Sequence, residues 1–189
     1  MNREQNGPHR PLLADLTDRE GEALCVQLRQ ELVEEVSKTG GHLASNLGAV
    51  ELTVAIHRVF DTARDRLVFD VGHQCYPHKM ITGRREAMST LRQYGGIAGF
   101  PKPGESGHDA FIAGHASNSV AVALGMARAR TAMKEDYKVL LICKHCRRSF
   151  KHIFCNEIFT DNRNYNTCRS YIFLNSAIDH SIFFYINRL

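Results

Sequence analysis

The sequence predicts an α/β fold: a parallel sheet flanked by helices, followed by an irregular C-terminal tail. Two short, nearly continuous apolar runs, at 67–71 and 138–142, suit strands buried on both faces. Helical patterns lie before the first run and between the two, with apolar residues recurring on one face. Strand, helices, strand is the alternation that a helix-covered parallel sheet requires.

Residues 1–15 read as a polar, flexible lead. Thr17-Asp18-Arg19-Glu20 is a capping box, in which the Thr17 hydroxyl serves a free backbone N–H and Glu20 reaches back. The helix that follows carries Leu24, Leu28, Leu32 and Val36 as one apolar stripe, and Gly40-Gly41 ends it. Residues 42–48 read as a loop or short turn that enters a second helix over 49–60. The first strand closes at Gly72. A helical piece then runs through Thr82, Gly83 breaks it, and 84–94 resumes the helix.

Residues 95–116 hold six Gly and two Pro and read as irregular. A segment of that length without secondary structure is usually functional or disordered. Ser117 or Ser119 caps a further helix that ends near Met133, and the second strand follows.

Composition divides the chain. Residues 1–142 hold 17 Lys+Arg and 17 Asp+Glu, whereas 143–189 hold 7 and 3, so the tail supplies the whole net charge of +4. A charge so small and so placed is a poor fit to a nucleic-acid binder. No stretch approaches the ~20 apolar residues that span a bilayer. No basic segment followed by an apolar run opens the chain, so no secretory leader is expected. Six Cys without such a leader suit reduced thiols and a cytoplasmic location, with Cys25 and Cys75 as small buried residues. The tail holds no Gly and no Pro, only one Ala, and four of the six Cys. Its apolar residues show no sustained helical period.

Three candidate sites emerge. His42 follows the Gly40-Gly41 break, His73 lies past the carboxyl end of the first strand, and His115 follows Gly114 before a helix. Ligands of open α/β sheets bind beyond the carboxyl ends of strands, and an imidazole there can donate to a phosphate oxygen or move a proton. Each His could equally be a surface or structural residue. The second candidate is Pro77-His78-Lys79 with Arg84 and Arg85, whose cations suit either a phosphorylated substrate or a solvated basic face. The third is Cys143-x2-Cys146-x5-His152-x2-Cys155, a zinc-like start whose remaining spacing fits no common zinc module.

At several of these residues the chain resembles the 1-deoxy-D-xylulose-5-phosphate synthase family of the transketolase superfamily. The resemblance rests on the run from Ser37 to Thr53 that includes Gly40-Gly41-His42-Leu43-Ala44-Ser45-Asn46-Leu47-Gly48. It is strongest at Asp70-Val71-Gly72-His73-Gln74-Cys75-Tyr76-Pro77-His78-Lys79 and Thr82-Gly83-Arg84-Arg85. It continues through 96–101 and Gly114-His115-Ala116-Ser117-Asn118-Ser119, and covers about Leu24 to Ile142.

The resemblance implies a thiamine-diphosphate-binding fold, here incomplete. It implies a thiamine-diphosphate- and Mg2+-dependent transferase that condenses pyruvate with glyceraldehyde 3-phosphate, releasing CO2 and giving 1-deoxy-D-xylulose 5-phosphate, a precursor in isoprenoid, thiamine and pyridoxal synthesis. It implies a homodimer with no nucleic-acid or membrane partner. His73, Gly114, His115 and Ala116 match cofactor contacts, and His42 matches a His near the reacting centre. His78, Lys79 and Arg84 match a motif without individual roles.

The likeness stops at the second strand. The family runs there into Gly-Asp-Gly, with an Asn further on, and these hold Mg2+. Here the matching place reads Lys144-His145-Cys146. Residues 1–142 are therefore expected to be the diphosphate-side part of the family domain, and 143–189 an aberrant tail from a shifted frame or misjoined gene end. The chain also stops before the family's second and third domains. An N-terminal piece of this kind is expected to bind cofactor weakly, to be inactive alone, and to unfold with poor cooperativity. The other reading is a non-catalytic paralogue that binds a partner, or metal through its Cys-rich tail.

Overall fold

The computed structural model describes residues 10–116, 118–143 and 183–186. Helix α1 spans Asp18–Thr39, α2 Leu43–Leu47, α3 Val50–Val59, α4 Tyr76–Lys79 and α5 Ser119–Met133. Strand β1 spans Arg66–Asp70, β2 Val139–Cys143 and β3 Phe183–Ile186, in sheet order β1-β2-β3.

The capping box forms. The Thr17 hydroxyl accepts from the Glu20 N–H at 3.3 Å, and the Glu20 carboxylate accepts from the Thr17 N–H at 2.8 Å. This satisfies donors that an isolated helix end leaves free. Leu28, Leu32 and Val36 bury the inner face of α1. Gly41 has φ +142°, and a Cβ there would lie 2.9 Å from the Tyr76 hydroxyl oxygen. Only glycine suits that close approach.

β1 and β2 run parallel, with Arg66 opposite Val139 and Asp70 opposite Cys143. Alternation along each strand separates two apolar clusters. Leu67, Phe69, Leu140 and Ile142 face α1, α3 and α4. Val68, Val139 and Leu141 face α5 through Ala123, Val122 and Met126. Helices thus cover both faces of the parallel pair, which is why these strands read as continuous apolar runs.

Four expectations need correction. Helix α5 is entered at Asn118 with no side-chain capping bond, and Ser119 is its first helical residue rather than its cap. Residues 183–186 form a strand, antiparallel to β2, so the tail is not irregular throughout and the sheet is mixed. The stretch 42–48 contains helix α2, because the Asn46 side chain donates to the His42 carbonyl at 2.7 Å and ties the turn closed. The helix expected over 84–94 is only a 3-10 segment, Glu86–Thr90. Arg92 adopts φ 63° and its N–H turns back to the Ile97 carbonyl at 2.8 Å, so tertiary closure ends the helix early. The segment 95–116 holds neither helix nor strand, as expected.

Leu32, on the inner face of α1, is fully buried in the core. Leu32→Ala is expected to destabilise the fold by about 2–5 kcal/mol, the usual range for a large-to-small core change. Urea denaturation checks this as a lower midpoint with an unchanged slope.

Candidate functional site

The chain leaves β1 through a tight turn over 72–74. The Gln74 side chain donates back to the Asp70 carbonyl at 2.8 Å, closing that turn. Gly72 is the wedge. A Cβ there would lie 2.7 Å from Pro101 Cδ and 2.8 Å from the Ala113 carbonyl oxygen. Without one, the Gly72 N–H donates to the Ala113 carbonyl at 2.8 Å. That bond fixes the segment leading to Gly114, His115 and Ala116 at the carboxyl end of β1, where such sheets bind ligands.

His73, in the same turn, meets His42 from the α1–α2 connection. Their ring centroids are 4.5 Å apart and the planes are inclined by 38°. His73 Nε2 lies 3.1 Å from the Ser45 hydroxyl. His42 is exposed and His73 half-buried, so the pair is accessible from solvent. The structure therefore brings two of the three candidate imidazoles together. Gly114, His115 and Ala116 are exposed, and the Gly72–Ala113 backbone bond links their segment to the turn that carries His73.

The second candidate cluster has a different role from either one expected of it. His78, Lys79 and Arg84 form no solvated basic face; all three are buried. Lys79 Nζ lies 2.7 Å from Glu105. Arg84 grips Asp109 with two bonds, 2.6 and 2.8 Å, and also reaches Glu105 at 3.5 Å. The two carboxylates take backbone donors as well, Ala98 N–H on Glu105 at 2.8 Å and Lys102 N–H on Asp109 at 2.6 Å. Arg85 pairs with Glu31 on α1. Lys79 and Arg84 thus hold the irregular segment against α4, while Arg85 ties its own stretch to α1.

An imidazole chain extends the cluster. Asp109 Oδ1 lies 3.0 Å from His78 Nε2, and His78 Nδ1 lies 2.9 Å from His57 Nε2. An ionised carboxylate only accepts, so His78 donates through Nε2 and accepts through Nδ1, which makes His57 Nε2 a donor. His57 Nδ1 is then a buried lone pair without a hydrogen-bond partner among the described residues. His108 flanks the cluster, its Nδ1 2.8 Å from the Thr62 hydroxyl. Lys79 and Arg84 balance Glu105 and Asp109, so any proton added to these imidazoles is a surplus buried charge.

Burial pushes the His57 value well below 6.5, helped by the neighbouring His78 and His108. Burial also lowers His78 and His108, and in His78 it outweighs the Asp109 carboxylate. Burial alone would raise Asp109 and Glu105. Instead His78, Arg84 and the Lys102 N–H hold Asp109 well below the carboxylate range, and Lys79 with the Ala98 N–H lowers Glu105. Among the described residues, no group of three His, Cys, Asp or Glu converges as a metal ligand set. The zinc-like Cys and His pattern lies outside the described residues, apart from the Cys143 backbone.

Residues 8–146 match the family model for 1-deoxy-D-xylulose-5-phosphate synthase. The chain belongs to that family. The resemblance drawn from the histidine and glycine motifs is therefore sound at the level of the family. The 1-deoxy-D-xylulose-5-phosphate synthase of Dechloromonas aromatica is 60% identical over 119 residues, which cover 63% of this chain and 19% of that protein. One from Dehalococcoides mccartyi is 56% identical over 130 residues, covering 69% and 20%. One from Alkalilimnicola ehrlichii is 53% identical over 141 residues, covering 70% and 22%. The chain spans about a fifth of the length of these curated relatives. No described helix is long and apolar enough to cross a membrane.

The buried cluster sets a pH window. Groups whose folded values are depressed bind more protons when unfolded, so stability rises with pH through their range. The His57, His78 and His108 contribution is thus complete above 6.5 and fades as pH falls through their lower folded values. The Asp109 and Glu105 contribution is lost further into acid; Asp65, raised by burial, runs the opposite way there. On the basic side burial pushes the Cys75 thiol up to about 12, so stability is lost as pH rises above the ordinary 9.0. Unfolding free energy measured against pH is expected to be highest between 6.5 and 9.0.

Proposed function

We propose that this chain carries the diphosphate side of a thiamine-diphosphate site, in the enzyme that condenses pyruvate with glyceraldehyde 3-phosphate. The single observation behind this reading is the contact of His42 with His73 beside the Gly72–Ala113 bond, at the carboxyl end of β1. The donor chemistry fits an anionic diphosphate: imidazole N–H groups and the exposed Gly114-His115-Ala116 segment that opens toward α5. Gly72 supports the fit, since any side chain there would push that segment away. Thiamine diphosphate, when bound, supplies the electron sink that decarboxylation of pyruvate needs. His73 and residues 114–116 then hold the diphosphate. His42, exposed beside His73, holds or delivers a proton near the reacting carbon.

Magnesium does not fit this chain. It demands hard oxygen ligands in near-octahedral geometry. Directly after β2 the residues are Lys144-His145-Cys146, with no carboxylate and with a cation at the ligand position. We read 1–142 as the diphosphate-side part of the family domain and 143–189 as foreign to it. The family match itself runs to residue 146, just past β2. A cytoplasmic homodimer is the assembly in keeping with the family.

This chain is therefore expected to bind thiamine diphosphate weakly, with no gain in affinity on adding Mg2+, and to turn over no pyruvate with glyceraldehyde 3-phosphate. Calorimetric titration and CO2 release check both. Turnover above a protein-free blank, or Mg2+-dependent tightening, contradicts the reading. The nucleotide sequence around codon 143 is expected to encode Gly-Asp-Gly in a neighbouring frame; three frames without it contradict the foreign tail.

A further inference from the structure

We infer that Asn46 is the positioning residue of the His42–His73 pair, an inference that deepens the thiamine-diphosphate reading and rests on it for its functional meaning. Asn46 touches neither imidazole in the hydrogen bonds of its side chain. It binds the two backbones that carry them. Its Nδ2 donates to the His42 carbonyl at 2.7 Å and to the His73 carbonyl at 2.8 Å. Its Oδ1 accepts from the Tyr76 N–H at 2.8 Å. Three of the four hydrogen bonds open to a primary amide are thereby made, inside a fully buried side chain.

The two carbonyls belong to segments far apart in sequence. One closes the α1–α2 connection and the other the turn after β1. Asn46 is the rivet between them. The rings project from the residues it pins, which accounts for a 4.5 Å centroid separation in a pair that is itself partly open to water. Ser45, next in the chain, adds the hydroxyl at His73 Nε2, so α2 supplies both the backbone anchor and a side-chain contact.

The amide is chemically specific here. Two carbonyl oxygens converge on one NH2 group, and only a side chain with two donors and one acceptor, at this length, serves all three partners. A carboxylate of the same shape keeps the acceptor for Tyr76 but turns a lone pair toward each carbonyl. An unpaired buried acceptor carries a substantial desolvation penalty. Asn46→Asp therefore preserves size and removes the function, whereas Asn46→Ala removes the bonds without adding repulsion.

The test uses the full 189-residue chain, isotope-labelled, as wild type, Asn46→Asp, Asn46→Ala and Ser45→Ala. The readout is the nuclear Overhauser effect between the His42 and His73 ring protons. Cross-strand effects between β1 and β2 report the fold. The ring-to-ring effect is expected in the wild type, retained in Ser45→Ala, and lost severalfold in both Asn46 variants while the cross-strand effects persist. Retention of the ring contact in either folded Asn46 variant overturns the inference. So does loss of the β1–β2 effects in both, which would make Asn46 a residue of the fold at large. Thiamine diphosphate is then added to the wild type, and the amides of His42, His73 and His115 are followed. If none shifts while the ring contact still depends on Asn46, the positioning role stands and the cofactor reading falls.

Discussion

Glu105 and Asp109 are the constraint on which the site depends. They sit in a segment with no helix or strand to hold it, and each is held by cations from the helical stretch 79–84. Burying Lys79 and Arg84 is tolerable only because both are matched. The Arg84 fork on Asp109 adds geometry to charge, since two parallel N–H bonds fix direction as well as distance. Removing one partner of such a pair leaves an uncompensated buried charge, a loss of about 3–5 kcal/mol. That is a large share of the stability of an ordinary domain.

This charge balance explains how an irregular segment comes to serve a site. With 98–109 pinned, Pro101 and Ala113 close over Gly72, and the chain arrives at residue 114 beside the β1 edge. The other half of the site comes from the opposite direction. Gly41 passes under the Tyr76 ring, His42 emerges from it, and Asn46 fastens the turn. Two separate fastenings, one ionic and one through neutral hydrogen bonds, thus converge on the turn 72–74. The ionic one is open to protons through the Asp109–His78–His57 chain, and the neutral one is not.

Much of the scaffold was legible from local chemistry. The Thr17–Glu20 box, the α1 stripe, both parallel strands and α5 follow from short-range rules that tertiary structure did not override. The His42 and His73 landmarks were legible too, because glycine breaks and strand ends mark them. The clasp was not. Pro77-His78-Lys79 and Arg84 look like a free basic patch when read alone, and their partners lie more than twenty residues downstream. One signal was available: Glu105 and Asp109 are the acids of a segment rich in Gly and Pro, where a carboxylate has little local structure to support. α2 and the early end of the helix after Gly83 were missed for the same reason. Asn46 and Arg92 act through contacts that periodicity does not encode.

The central claim is that the ionic clasp places residues 113–116 at the β1 edge. Hydrogen exchange of the Gly72 amide tests it most directly, because that N–H reports the bond to Ala113. In Asp109→Asn the Ala98, Lys102 and Gly72 amides should lose protection together while the β1–β2 amides keep theirs. Gly72 protection that survives in that variant, with the strands intact, would contradict the claim.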